Sequence, residues 1–299
     1  MQTESTRPGQ GYAQVETHDG VGSQQFKVGK FTCTVLSDGS FDYPRPLHTF
    51  FTNVPPAEAE QALREHSLPG DRIVTPYTFL HVDTGSHSVL IDTGAGAMGP
   101  HTGRLPESLR EAGIDPEAVD TVILTHAHPD HIGGALDEAG QPIYSAARYY
   151  ITRSEADFWA TAEAEAKAPE HFVRTAREKL AGLTPWLEFM QWESEVVPGI
   201  TASPAPGHTP GHVVVRVVSG GEELVYFGDT ALHPLHLEHP DWFSAFDIAP
   251  DQVLLTRRRI FAYVAERRIP VVAQHFGPFP GLGYVVKQGE TWRWEPMAS

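Results

Sequence analysis

The chain is expected to be an α/β protein folded as a four-layer αββα sandwich, with two β-rich halves packed together and helices outside. Three observations lead there. Strand-like and helix-like stretches are interleaved from end to end. Neither half is set off by a linker rich in Pro, Gly or Ser. His126, His128, Asp130 and His131 crowd into one short run, whereas His208, Asp229 and His275 arrive singly at the ends of later strand candidates, so any shared site must lie in a cleft between the halves.

Residues 1–25 are polar, rich in Gly, Gln, Thr and Ser, and lack an apolar stretch. They read as a disordered tail, neither signal peptide nor membrane helix, which places the protein in the cytoplasm. Residues 26–299 are taken as a single domain. A strand over 31–41 ends in a turn at Ser37-Asp38-Gly39. A short helix follows over 56–65, and 77–82 pairs with 88–91 as a hairpin closed by Asp92-Thr93-Gly94. A helix over 105–112 precedes the short β-branched run 121–124, a buried strand from which the His/Asp run starts. A strand over 143–151 leads to Ser154, an N-cap candidate with Asp157 three residues on, opening a helical region to about residue 182.

The second half repeats the theme with strands over 196–202, 212–218 and 223–227. The connections end at Pro206-Gly207-His208 and Gly228-Asp229-Thr230. A helix over 249–268 carries Val253, Ile260, Phe261 and Val264 on one face. A strand over 270–273 runs to His275, and 284–294 alternates as an edge strand would.

A length of 299 residues allows a substantial core, and 40% hydrophobic with 20% charged residues is ordinary for a globular protein. The net charge of −16 opposes binding to nucleic acid or anionic membrane, both of which need positive surface. The lone cysteine, Cys33, lies in a strand-like stretch and reads as a core thiol.

With 16 histidines in the chain, scattered ones carry little information, but the run Thr-His-Ala-His-Pro-Asp-His is different. His126 and His128 are two residues apart beyond a strand, so in extended backbone their rings point the same way. Asp130 and His131 follow where the chain turns into Gly133-Gly134, on the other side of a shared site. The seven residues fit two divalent cations: His126, His128 and His208 for one, Asp130, His131 and His275 for the other, with Asp229 able to bridge. Two such ions about 3.5–4 Å apart can hold and acidify a water, making a bridging hydroxide the nucleophile. No Gly-x-Ser-x-Gly motif competes with that reading. Asp130 has a second role open to it, hydrogen-bonding the hydroxide and passing its proton to the leaving group. Asp92, at a strand end, either orients a ligating histidine or simply forms a turn. His212 is expected to make structural hydrogen bonds, and His233, His236 and His239 to be solvated loop residues.

The His-x-His-x-Asp-His run, Pro-Gly-His-Thr-Pro-Gly-His, Phe-Gly-Asp-Thr and the late histidine together resemble the metallo-β-lactamase superfamily, whose fold is the αββα sandwich. Within it the chain looks most like the branch of methyl parathion hydrolase and related lactonases, through Leu36-Ser37-Asp38-Gly39, Asp92-Thr93-Gly94-Ala95-Gly96, Glu155-Ala156-Asp157-Phe158-Trp159 and Pro278-Phe279-Pro280-Gly281-Leu282-Gly283. The resemblance implies a binuclear metallohydrolase, zinc-loaded foremost with manganese, cobalt or iron as alternatives, and a possible homodimer. It also implies an apolar pocket built from Phe51, Met98, Trp159 and Leu232. It departs at Leu232, where acyl-homoserine lactonases of the superfamily often carry a tyrosine that serves as oxyanion donor. The expected substrate is a small, apolar, ester-like molecule such as a lactone or aryl ester, with phosphotriesterase activity alongside. The alternative from another class is an iron-dependent oxidoreductase on the same scaffold, a persulfide dioxygenase or flavodiiron-like protein. Loss of a ligand would have pointed to a non-catalytic protein, and all seven are present.

Overall fold

The computed structural model describes Tyr12 and residues 20–297. Two seven-stranded mixed sheets carry the fold, and in each the strands lie side by side in chain order. The first holds β1 (Ser23–Val28), β2 (Phe31–Pro44), β3 (Arg72–Asp83), β4 (Ser88–Ile91), β5 (Thr121–Ile123), β6 (Arg148–Thr152) and β7 (Leu187–Met190). The second holds β8 (Ser194–Val197), β9 (Ile200–Pro204), β10 (Val213–Ser219), β11 (Glu222–Tyr226), β12 (Pro270–Val272), β13 (Leu282–Gln288) and β14 (Thr291–Pro296). The helices are α1 (Pro46–Phe50), α2 (Pro56–Glu65), α3 (Leu105–Glu111), α4 (Pro129–Ile132), α5 (Arg153–Trp159), α6 (Ala162–Lys167), α7 (Glu170–Leu183), α8 (Leu235–Glu238) and α9 (Pro250–Arg267).

The period-2 alternation of side chains builds the layers. Leu80, Val82, Val89, Ile91 and Ile123 of the first sheet meet Val213, Val215, Val217, Leu224, Tyr226 and Val272 of the second in one core between the sheets. The residues between them face outward. Phe79, Leu90 and Val122 pack under Leu105, Leu109, Trp159, Phe172 and Val173 of the helices covering the first sheet. Val214, Val225 and Val271 pack against Ile260, Phe261 and Val264 of α9. Strands covered on both faces must be apolar on both, which is why 121–124 reads as a short β-branched apolar run. The αββα expectation therefore holds. Cys33 lies in the central core, and burial pushes its thiol up to about 12, as suits a packing residue.

Several boundaries differ from the sequence reading. Most of the expected tail 1–25 lies outside the described residues, but residues 23–25 already belong to β1. The helical region after β6 is capped by Thr152, whose Oγ1 accepts the Glu155 N–H, rather than by Ser154, and it breaks into α5, α6 and α7. The break before α7 falls at Pro169, which supplies no amide donor for a continuing helix. The run 196–202 splits into the β8–β9 hairpin, and 284–294 is the β13–β14 hairpin, with β14 at the sheet edge.

Strand direction positions the site. β4, β5 and β6 pair in parallel, as do β11 and β12, while β9 and β11 each run antiparallel to β10 and so share a direction. The loops after β4, β5 and β6, and those after β9, β11 and β12, thus leave the carboxyl ends of their strands. The loops carry Asp92, His126, His208, Asp229 and His275, Glu155 lies in the first turn of α5 directly after β6, and open α/β sheets bind ligands in such a place.

Candidate metal centre

The structure brings the seven residues together. Ligand atoms of His126, His128, His208 and Asp229 lie within 4.8 Å of one another, and so do those of Asp130, His131, Asp229 and His275. Asp229 belongs to both groups and turns one oxygen to each. Its Oδ2 is 3.2 Å from His208 Nε2 and 3.8 Å from His126 Nε2. Its Oδ1 is 3.2 Å from both His131 Nε2 and His275 Nε2. Asp130 Oδ2 lies 3.5 Å from His275 Nε2 and 3.7 Å from His131 Nε2.

Hydrogen bonds behind the rings decide which nitrogen faces inward. Asp92 sits at φ 61°, in the left-handed region, and its carboxylate folds back over the end of β5. It accepts the Thr125 N–H at 2.7 Å, the Thr125 hydroxyl at 2.8 Å and His131 Nδ1–H at 2.8 Å. His126 Nδ1 lies 3.1 Å from Thr125 Oγ1. Since that hydroxyl spends its proton on Asp92, His126 must be the donor. His208 Nδ1–H donates to Asp247 at 2.8 Å. In all three histidines the Nδ1 proton is committed, so Nε2 presents a lone pair to the site.

That leaves acceptor facing acceptor. His126 Nε2, His131 Nε2 and Asp229 Oδ1 are buried without a hydrogen-bond partner. Buried lone pairs converging this closely are costly unless a cation lies among them. The pKa shifts have the same origin. Burial opposes charge on His131, yet Asp229, Asp92 and Asp130 hold its pKa well above the ordinary value, so without a divalent ion a proton on Nε2 would stand in for the missing positive charge. Burial and the neighbouring imidazoles push His126 and His128 well below it, leaving neutral nitrogens free to ligate. The donor set of imidazoles and carboxylates suits divalent transition ions.

Two further residues hold the frame. Glu155 is fully buried and accepts four hydrogen bonds, from Ala127 N and Trp159 Nε1 at Oε1 and from Thr209 Oγ1 and Gly211 N at Oε2. It thereby clamps the loop carrying His126 and His128 to the one carrying His208. Gly211 must be glycine, because a Cβ there would sit 2.3 Å from Glu155 N. His212 donates from Nδ1 to Ala205 O at 3.0 Å and accepts the Asp229 N–H at Nε2, 2.9 Å away. It is structural, as expected, and it aims Asp229.

A cleft beside the two groups is lined by His128, Asp130, Asp229 and His275 and by Phe50, Phe172, Leu232 and Phe246. Of the four pocket residues expected from the sequence, only Leu232 lines it. Phe51 turns away into a cluster with Trp242 and Leu235, and its neighbour Phe50 faces the cleft instead. Trp159 is buried behind His128, 5.4 Å between ring centroids, held by its bond to Glu155. Met98 packs partly buried against the outer core of the first sheet. Nor are His233 and His236 solvated: both are buried. His236 accepts the Leu232 N–H at Nδ1 and donates from Nε2 to Phe50 O. His239 is half-buried and stacks on Trp242 at 3.8 Å. Asp247 was missed, because a single Asp in an irregular loop has no spacing signal. Phe172 and Phe246 were missed because their 5.6 Å stack joins distant segments.

A profile described as the metallo-beta-lactamase superfamily matches residues 73–275. An N-acyl homoserine lactonase from Bacillus sp is 25% identical over 203 residues, covering 60% of this chain and 73% of that protein. An RNase J-like protein from Methanocaldococcus jannaschii is 30% identical over 155 residues, half of this chain but only 32% of its own length. Among solved structures, AidC, a dizinc quorum-quenching lactonase, superimposes with a TM-score of 0.88 at 28% identity, covering 93% of this chain and 98% of that one. The hydrolase AbOPH superimposes with a TM-score of 0.83 at 27% identity, covering 96% and 99%.

Proposed function

The chain belongs to the metallo-β-lactamase superfamily, and from that premise we propose that it is a binuclear metallohydrolase that opens lactones or related neutral, apolar esters, with organophosphate triesters as secondary substrates. The observation that carries this reading is the division of Asp229, one oxygen toward each ligand group, beside a wall of Phe50, Phe172, Leu232 and Phe246. His126, His128 and His208 would hold one ion, Asp130, His131 and His275 the other, with Asp229 shared. Zinc is proposed because the similar AidC is a dizinc enzyme. Bound divalent ions supply Lewis acidity and an acidified water.

The chain's own residues divide the remaining work. Asp130 lines the cleft with Oδ2 turned to His131 and His275, which supports giving its other oxygen the role of taking a proton from the attacking water and returning it to the leaving oxygen. The aromatic wall excludes water and binds the apolar part of the substrate, about 0.8 kcal/mol per buried methylene. Leu232 adds to that wall where a tyrosine would have offered a hydroxyl, which favours apolar contact over hydrogen bonding at this point.

The test is kcat/KM of the zinc-loaded chain on a long-chain acyl-homoserine lactone and on methyl parathion in one buffer. A lead of about tenfold or more for the lactone, about 1.4 kcal/mol in transition-state stabilisation, supports the lactonase reading. A lead for the phosphotriester would reverse the order of substrates. Turnover of neither would refute the hydrolase proposal.

A further inference from the structure

Among the described residues Arg257 is the only lysine or arginine that is buried, and it lies outside the ligand set. It projects from α9 into the segment that leads from Asp229 to that helix. Its Nε donates to Thr230 O at 2.8 Å, and its Nη1 donates to Trp242 O and, at 3.3 Å, to Pro240 O. Its Nη2 faces Asp247 Oδ2 at 3.6 Å. Asp247 in turn accepts Ser244 N–H at Oδ2 and His208 Nδ1–H at Oδ1, both at 2.8 Å. One guanidinium therefore hydrogen-bonds the start and the middle of the segment 230–247 through Nε and Nη1, while Nη2 makes no hydrogen bond and holds the end only by its ion pair with Asp247.

The segment carries two of the cleft residues, Leu232 and Phe246. Its other side is fixed as well, since His236 bonds both the Leu232 N–H and the carbonyl of Phe50, a third cleft residue. Leu235, His236 and Leu237 of α8 are completely buried, so this is not the exposed, weakly bonded chain of a lid.

We propose that Arg257 is a positioning residue for the metal centre: its fork holds 230–247 as a fixed wall of the cleft and, through Asp247, holds His208 with Nε2 directed at Asp229. Hydrogen bonds in two directions with a carboxylate facing the third edge call for a planar guanidinium, and an ammonium on a flexible stem cannot serve them together. The proposal rests on the reading of His208 as a ligand, and the experiment separates the two.

The full-length chain and its Arg257→Met and Arg257→Lys variants are loaded with zinc. Affinity is measured by chelator competition, and amide hydrogen exchange is followed across 230–247. For Arg257→Met one of the two zinc sites, the one that takes His208, should lose about 10–100-fold in affinity, the usual consequence of removing support behind a ligand. Exchange across 230–247 should accelerate at the same time. Arg257→Lys, which keeps the charge without the fork, should fall between the Met variant and the wild type in both readouts. Wild-type zinc affinity and wild-type exchange in the folded variants would overturn the proposal. If the Met variant does not fold, the Lys variant decides by the same criterion. A wild-type chain that binds no zinc would refute the ligand assignment instead, and the exchange of 230–247 would then decide the part played by Arg257.

Discussion

His131 Nδ1 lies 2.8 Å from Asp92 Oδ2, with both side chains completely buried. The same arrangement recurs at His208 and Asp247, also at 2.8 Å. In each group of ligands, then, one histidine has a carboxylate behind it that fixes its tautomer and raises its basicity. The first carboxylate follows a strand of the first sheet, and the second lies in the segment before α9, so the two halves supply equivalent devices from unrelated sequence.

Asp92→Asn tests the first of these. The side-chain shape is kept while the negative charge behind His131 is lost. Zinc affinity should fall by about 10–100-fold in chelator competition. Unchanged affinity would mean that Asp92 serves only the end of β5, through its two bonds to Thr125.

Glu155→Gln tests the clamp between the two loops. The carboxylate accepts all four of its bonds, so the amide nitrogen of Gln must confront at least one fixed N–H donor wherever it points, since only the Thr209 hydroxyl can turn to accept. The expected loss of stability is about 2–4 kcal/mol in urea unfolding. A loss under about 0.5 kcal/mol would show that the loops are held by other contacts.

Phe50 and Phe51 should behave differently although they are neighbours. Phe50→Ala, at the cleft but only 2% exposed, should raise KM for long-chain lactones and also cost stability, so KM is what separates the two. Phe51→Ala, among Leu235, Trp242 and His236, should cost about 3–5 kcal/mol and leave KM unchanged. The opposite pattern would return Phe51 to the pocket.

His81 gives the fold a pH dependence remote from the metal centre. It is buried on β3 with Nε2 2.8 Å from Ser88 Oγ. Burial lowers its pKa to about 4 from an ordinary 6.5, against the opposing pull of Asp83 and Asp120. The unfolded chain therefore binds a proton there before the folded one does. The contribution is complete above pH 6.5 and is lost as pH falls from 6.5 to about 4, on the order of 3 kcal/mol in all. Unfolding free energies of the wild type and His81→Gln at pH 7.5 and 4.5 should converge at the lower pH. Parallel decline of the two would remove His81 as the cause.

The cluster of seven candidate ligands was legible in the sequence because metal coordination would demand particular residue types at fixed spacing, and the structure brings those residues together. His126 to His131 come within one short turn beyond β5, and the late ligands follow strands whose apolar runs mark their own ends. The sandwich was legible for a related reason, since strands buried on both faces leave short runs rich in Val and Ile. The cleft was not. Phe50 rather than Phe51 faces it because the entry of α1 sets which ring turns inward, and local pattern does not encode that. Phe172, Phe246, Asp247 and Arg257 acquire their roles only when α7, α9 and the segment before α9 converge, so each looks ordinary in the sequence. His233 and His236 misled for the opposite reason: a His-rich, Pro-containing stretch reads as a solvated loop, yet its rings are consumed by buried backbone bonds.

The central claim is that Asp229 joins two metal sites. It is tested most directly by calorimetric titration of the chelator-stripped chain with zinc, wild type beside Asp229→Asn. Two tight equivalents per chain are expected for the wild type. The variant, with one neutral oxygen in place of two charged ones, should lose tight binding of both together with turnover. One equivalent in the wild type, or two in a fully active Asp229→Asn, would contradict the account.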